Sequence, residues 1–231
     1  MRVATQRGVV SLMERFVRRT ALSQGPADRP RVALTFDDGP HPDWTPKILD
    51  ALDRASAKAT FFVVGRCVEK CPELVVEARR RGHEIGTHLY SHDRGTAFDD
   101  QKFRAELQRS REQLESLLGE KIRWLRFPYG ERGRQDPRAI RSTHGLDTVH
   151  WTYSSHDGKL RDPGAILARV AAGLRPGAIL LMHDALADEK TLPPPYIAAR
   201  DATLSALARI GELLAARGMA GVTLSALFGG D

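Results

Sequence analysis

Ionisable residues recur in this chain just after short apolar runs. Asp37 and Asp38 follow the run 32–36 and stand before Gly39-Pro40, so both carboxylates ride a sharp turn. His88 and His92 follow residues 84–86, Arg126 lies near the end of 124–127, Asp157 trails the run ending at 152, and His183 trails 178–182. Each has an ordinary explanation on its own. An Asp-Asp pair is usually only a turn, and a lone arginine is usually solvated or ion-paired. A single histidine usually makes a structural hydrogen bond, and two histidines four apart are a weak metal signal. The joint arrangement is harder to dismiss, because five segments each deliver ionisable groups to strand ends.

The elements that must carry these residues alternate in type. Strand-like runs are predicted at 32–36, 60–64, 84–86, 124–127, 148–152, 178–182 and 221–224, and helical patterns at 45–55, 72–81, 100–118, 137–143, 163–174 and 202–217. Alternation of this kind argues for a parallel α/β sheet or barrel. About seven strands are fewer than the eight of a regular barrel, so the expected fold is a distorted, incomplete (β/α) barrel. In either architecture the strand ends converge on one face, where active sites form.

The polar stretch 23–30, punctuated by Gly25, Pro26 and Pro30, reads as a linker between an N-terminal segment (1–30) and one catalytic domain (31–231). Residues 7–21 fit a short amphipathic helix. Docking on the domain is the preferred reading, and peripheral contact with an anionic membrane is the second. Residues 184–199, with three prolines at 193–195, form a long loop that follows the last histidine of the strand-end face.

Five motifs in order resemble the polysaccharide deacetylase family, the NodB-homology domain of chitin, chitooligosaccharide and peptidoglycan deacetylases. They are Thr35-Phe36-Asp37-Asp38-Gly39-Pro40, His88-Leu89-Tyr90-Ser91-His92, Arg126-Phe127-Pro128-Tyr129-Gly130, the stretch 151–157 and Leu181-Met182-His183. The resemblance spans about residues 31–228 and implies a metal-dependent hydrolase that removes the acetyl group from an N-acetylated sugar. It implies that Asp38, His88 and His92 bind one divalent cation, with Zn²⁺ first and Co²⁺, Mn²⁺ or Ni²⁺ as alternatives. Asp37 would be the general base, oriented by Arg126. The backbone N–H of Tyr129 would meet the oxyanion, and His183 would protonate the leaving amine. Asp157 would serve either His183 or Arg126. Leu181 would line the pocket for the acetyl methyl, with plain core packing as its competing explanation, and Trp151 would contact substrate.

Three positions depart from the family pattern. Leu89 stands where a Ser or Thr usually braces the metal loop, Ser154 where an Asp is common, and Gly158 where a Trp often forms a wall, a place that Trp151 or Tyr153 could take. These departures leave room for a deformylase, a hydrolase of another non-peptide amide, or a noncatalytic carbohydrate-binding module. The net charge of +6 is scattered without an aromatic-interleaved basic stripe, so no nucleic-acid partner is expected. Cys67 and Cys71 make no disulfide framework and read as free thiols. With no apolar run of about 18 residues and no secretion signal, a cytoplasmic location is expected. The sequence is silent on oligomeric state.

Overall fold

The computed structural model describes residues 21–187 and 199–229. Strand β1 (Arg31–Asp37) leads to helix α1 (Thr45–Arg54), then β2 (Thr60–Val63), the single turn α2 (Gly65–Val68), α3 (Pro72–Arg80) and β3 (Glu84–Thr87). Helix α4 (Asp100–Leu118), β4 (Trp124–Leu125), α5 (Pro137–His144), β5 (Asp147–Thr148) and β6 (Tyr153–Ser154) follow. The chain continues through α6 (Pro163–Gly173), β7 (Ile179–His183), α7 (Asp201–Ala216), β8 (Ala220–Val222) and α8 (Leu224–Leu227). The helix boundaries follow local chemistry. Asp99, Asp136 and Asp162 cap α4, α5 and α6 through their carboxylates, prolines open α5 and α6, and left-handed Gly119 and Gly145 end α4 and α5.

Every strand pairing is parallel, in the order β5-β4-β3-β2-β1-β7-β6, with β8 against the start of β1. This is the expected incomplete (β/α) barrel. One expected strand, 148–152, divides: its start pairs at one sheet edge as β5, and the chain then crosses the gap to the opposite edge as β6. Val149 N–H donates to Leu125 and Thr152 N–H to Ile179, each at 2.9 Å, so the intervening residues hand the backbone from one edge to the other. Leu22 bridges to Val149 and takes up the hydrogen bonds of Thr148 and His150 that no neighbouring strand satisfies. The apolar run thus marks a barrel seam, a distinction that periodicity cannot make.

Strand pleating divides the side chains into two sets. Val32, Leu34 and Phe36 of β1, Phe61 of β2, and Leu180 and Met182 of β7 join the core beneath the helices. Ala33, Phe62, Trp124 and Ile179 face inwards, where α8 closes the lower mouth with Leu224 and Leu227. The same parity puts Thr35 and Asp37, together with Leu181 and His183, on the inner face. Asp37 and His183 are register partners across the β1–β7 pair. Cys67 and Cys71 are buried free thiols. Among the described residues, no helix is long and apolar enough to cross a membrane. The N-terminal amphipathic segment, apart from residue 21, and most of the loop 184–199 lie outside the described residues.

Candidate active site

At the C-terminal mouth of the barrel, Asp37, Asp38, His88, His92, Tyr129, Trp151, Leu181 and His183 line one cleft of about 540 Å³. The segments that carry them are bent against local preference. Six described non-glycine residues have left-handed backbone, and five of these, Asp38, Leu89, His92, Tyr129 and His156, lie at the cleft or between its ligands. Such conformations cost of order 1–3 kcal/mol each, so the surrounding fold must impose them.

Asp38, His88 and His92 are buried and offer one carboxylate oxygen and two ring nitrogens, all within 4.8 Å of one another. His92 Nε2 lies 3.0 Å from Asp38 Oδ1, and His88 Nε2 lies 3.5 Å from the same oxygen. His88 Nδ1 meets the Arg126 carbonyl at 2.8 Å; a carbonyl only accepts, so Nδ1 donates there, and Nε2 is the ring nitrogen turned to Asp38. Burial by itself would raise the Asp38 pKa, but His92 and His88 hold it well below the usual carboxylate range. A carboxylate kept charged beside two imidazole nitrogens is a donor set that fits a divalent cation. Glycine is required at position 39 for a spatial reason: a Cβ there would sit 2.2 Å from Asp184 Oδ2. Asp184 receives the Thr45 hydroxyl at 2.5 Å, and burial pushes its carboxyl up to about 7.

Arg126 is fully buried behind this group. One terminal nitrogen donates to Asp37 Oδ1 and to Thr35 Oγ1, both at 2.8 Å, and the other donates to the His150 carbonyl at 2.9 Å. Its guanidinium carbon also lies 4.2 Å above the Phe62 ring. This framework directs one oxygen of Asp37 at the arginine and leaves the other facing the cleft, 3.7 Å from His88 Nε2.

His183 stands opposite. Its Nδ1 is 2.9 Å from Asp157 Oδ1, and its backbone N–H donates to Asp157 Oδ2 at 2.9 Å. Burial disfavours the imidazolium, yet Asp157, with Asp38 and Asp37 beyond, pushes His183 up to about 9. In turn, Asp157 falls to about 2: burial opposes its charge, and His183 and Arg200 outweigh the burial. Of the two tasks open to Asp157, the structure supports pairing with His183, while Arg126 serves Asp37.

The departures at Leu89, Ser154 and Gly158 acquire physical meaning here. Leu89 is fully buried in the helix-side core. The loop that carries His88 and His92 is braced instead by Thr87, whose hydroxyl accepts from Leu89 N–H at 3.0 Å, and by Glu106 of α4, which accepts from Tyr90 and Ser91 N–H at 3.1 and 2.8 Å. The Ser154 hydroxyl accepts from His156 N–H at 3.1 Å and shapes the turn before Asp157. Trp151 lines the cleft, whereas Tyr153 does not: its ring packs against Gly173 and its hydroxyl is buried. Gly158 borders the cleft with room to spare. A Cβ there would meet only ordinary contacts, with Leu186 at 3.8 Å and His183 at 3.9 Å. Tyr129 has its side chain exposed under Arg94, with its ring 4.7 Å from His92. Glu106, Asp184, Arg200 and Thr203 stand in none of the sequence motifs, and Thr35 stands in the first without an assigned role. Only Thr35 carried a signal, its parity with Asp37 on one strand.

Fold and site together define an open (β/α) barrel with a buried Asp-His-His cluster at its mouth, able to hold a divalent cation between a carboxylate and an imidazole. A family model for polysaccharide deacetylase matches residues 24–149, and the chain belongs to that family. It is 33% identical to a chitooligosaccharide deacetylase of Sinorhizobium fredii over 190 residues, covering 82% of this chain and 87% of that one. It is 37% identical to a peptidoglycan-N-acetylglucosamine deacetylase of Listeria monocytogenes over 154 residues, which are 67% of this chain but 32% of the relative's length. The crystal structure of a peptidoglycan N-acetylglucosamine deacetylase superposes with a TM-score of 0.81 at 31% identity, covering 95% and 96% of the two chains.

Proposed function

We propose that this protein is a metal-dependent N-deacetylase that hydrolyses the N-acetyl amide of a sugar to a free amine and acetate. The observation that carries the reading is the facing pair Asp37 and His183 on the inner strand faces, with the Asp38-His88-His92 cluster beside them. Asp38, His88 and His92 would hold the cation, Zn²⁺ first by donor type. When bound, the cation supplies a Lewis acid that polarises the amide carbonyl and makes water a better nucleophile. Asp37, oriented by Arg126, takes the proton of the attacking water on one side. The Tyr129 backbone N–H meets the developing oxyanion. On the other side His183, paired with Asp157, delivers a proton to the amine nitrogen, which would otherwise leave as an unstable anion. Leu181 lines the space for the methyl group, and Trp151 flanks the sugar.

Acetate release from chitooligosaccharides, N-acetylglucosamine and a nucleotide-linked N-acetyl sugar, with chelator controls and metal analysis, tests this reading. Asp37→Asn and His183→Ala should lose most turnover with the metal retained, and His92→Ala should lose the metal. Formate release from the corresponding N-formyl sugars, with no acetate released from the N-acetyl ones, would identify a deformylase. Sugar binding without turnover in the metal-loaded protein, or full activity in Asp37→Asn, would overturn the proposal.

A further inference from the structure

Asp157 is held by more than its histidine. Its Oδ1 accepts the Ser155 hydroxyl at 2.8 Å besides facing His183 Nδ1. Its Oδ2 takes the His183 N–H and also the Thr203 hydroxyl at 3.0 Å. Arg200, the N-cap residue of α7, reaches the same residue, with one terminal nitrogen 3.6 Å from Oδ2 and 3.4 Å from the Asp157 carbonyl. Asp157, Arg200 and Thr203 are each at most 1% exposed, and neither Arg200 nor Thr203 lines the cleft.

Packing alone does not call for this arrangement. Helix α7 is already anchored by Ala206, Leu207, Ile210 and Leu214, all buried. A fully buried arginine at its N-cap carries a large desolvation cost, and an apolar residue of similar size would commonly stabilise the fold as well or better. The guanidinium meets a carboxylate whose four other contacts come from three separate segments: the β6 loop, the end of β7 and the start of α7. We propose that Arg200 and Thr203 are positioning residues for the acid of this site. From α7 they hold the Asp157 carboxylate in the one orientation that presents Oδ1 to His183 Nδ1, and so direct Nε2 of His183 into the cleft.

The inference rests on His183 acting as the acid, and the sign of its electrostatic effect separates positioning from scaffolding. The charged groups facing His183 are Asp157, Asp38 and Asp37, and those facing Arg200 are Asp157, Asp38 and Asp184; His156 also senses Asp157. Replacing Arg200 removes a positive charge that offsets Asp157, so His183 should hold its proton to higher pH. A purely structural loss gives no such shift.

The test uses the metal-loaded full chain as Thr203→Val, Thr203→Ser and Arg200→Gln. Thr203→Val keeps the side-chain shape and removes the hydroxyl. It should lower kcat about tenfold with KM nearly unchanged, the size of one lost hydrogen bond to a charged group, and Thr203→Ser should restore it. Arg200→Gln should move the alkaline limb of the kcat profile upward by up to about one pH unit. Imidazole ¹⁵N shifts of His183 in the same proteins give the titration without any turnover, which keeps the inference testable if acetate release fails. Wild-type kcat and an unmoved His183 titration in Thr203→Val would overturn it. So would loss of melting temperature alone in Arg200→Gln, or failure of serine to restore activity.

Discussion

Replacing Arg126 with methionine keeps most of the side-chain volume and removes the charge. Asp37 is 3% exposed, and its Oδ1 has Arg126 at 2.8 Å, so the substitution strands a buried carboxylate. It also removes the donors from which Thr35 Oγ1 and the His150 carbonyl accept. Breaking a buried ion pair from one side costs ~3–5 kcal/mol. The same reasoning makes Asp37→Asn costly alone, since it strands the guanidinium, but it makes the double variant much cheaper than the sum. The coupling between the two sites should therefore be ~2–3 kcal/mol, at the upper end of what contacting residues show. Urea unfolding of the wild type, both single variants and the double variant, at neutral pH with Zn²⁺ present, measures it from the midpoints and slopes. If the two single losses simply add in the double variant, the buried pair is not what holds Asp37, and the explanation of its orientation fails.

The other expectations concern the metal loop, the acid pair and the cleft wall. Because Glu106 accepts two backbone N–H groups between His88 and His92, Glu106→Ala should weaken metal affinity by about 10–100-fold in a chelator competition while the fold persists. His183, raised to about 9, contributes stability that is complete below its unfolded pKa near 6.5 and is lost as pH rises through 9; Asp157, lowered to about 2, contributes stability present above about 4 and lost as pH falls through 2. Wild-type urea midpoints should accordingly decline between pH 6.5 and 9.5, and His183→Gln should flatten that decline; parallel curves would count against the pair. Position 158 tolerates a side chain, so Gly158→Trp should fold normally and narrow the cleft beside His183. Its kcat/KM for N-acetylmuramic acid, bulky next to the amide, should then drop about tenfold relative to N-acetylglucosamine, and an unchanged ratio would refute the open-wall account.

The residues that could do chemistry were legible in the sequence because they are local. Asp37-Asp38 sits on a turn that glycine and proline announce, His88 and His92 share one short loop, and Arg126 and His183 each follow an apolar run. Strand and helix alternation likewise implied a parallel barrel, since each period reports which side of one element meets the core. Parity puts Asp37 and His183 each on the inner face of its own strand, but their meeting follows only from the pairing of β1 with β7. What remained out of reach depends on long-range placement. Nothing local distinguishes the run 148–152 as a seam joining opposite sheet edges, because an edge is a property of the assembled sheet. Glu106 is one more glutamate on an amphipathic helix until α4 packs beside the metal loop. Arg200 and Thr203 read as an ordinary helix start, and only the docking of α7 brings them to Asp157. Identity and spacing set which donors and acids the chain owns; burial and distance, which arise only when remote segments pack, decide which of them act together.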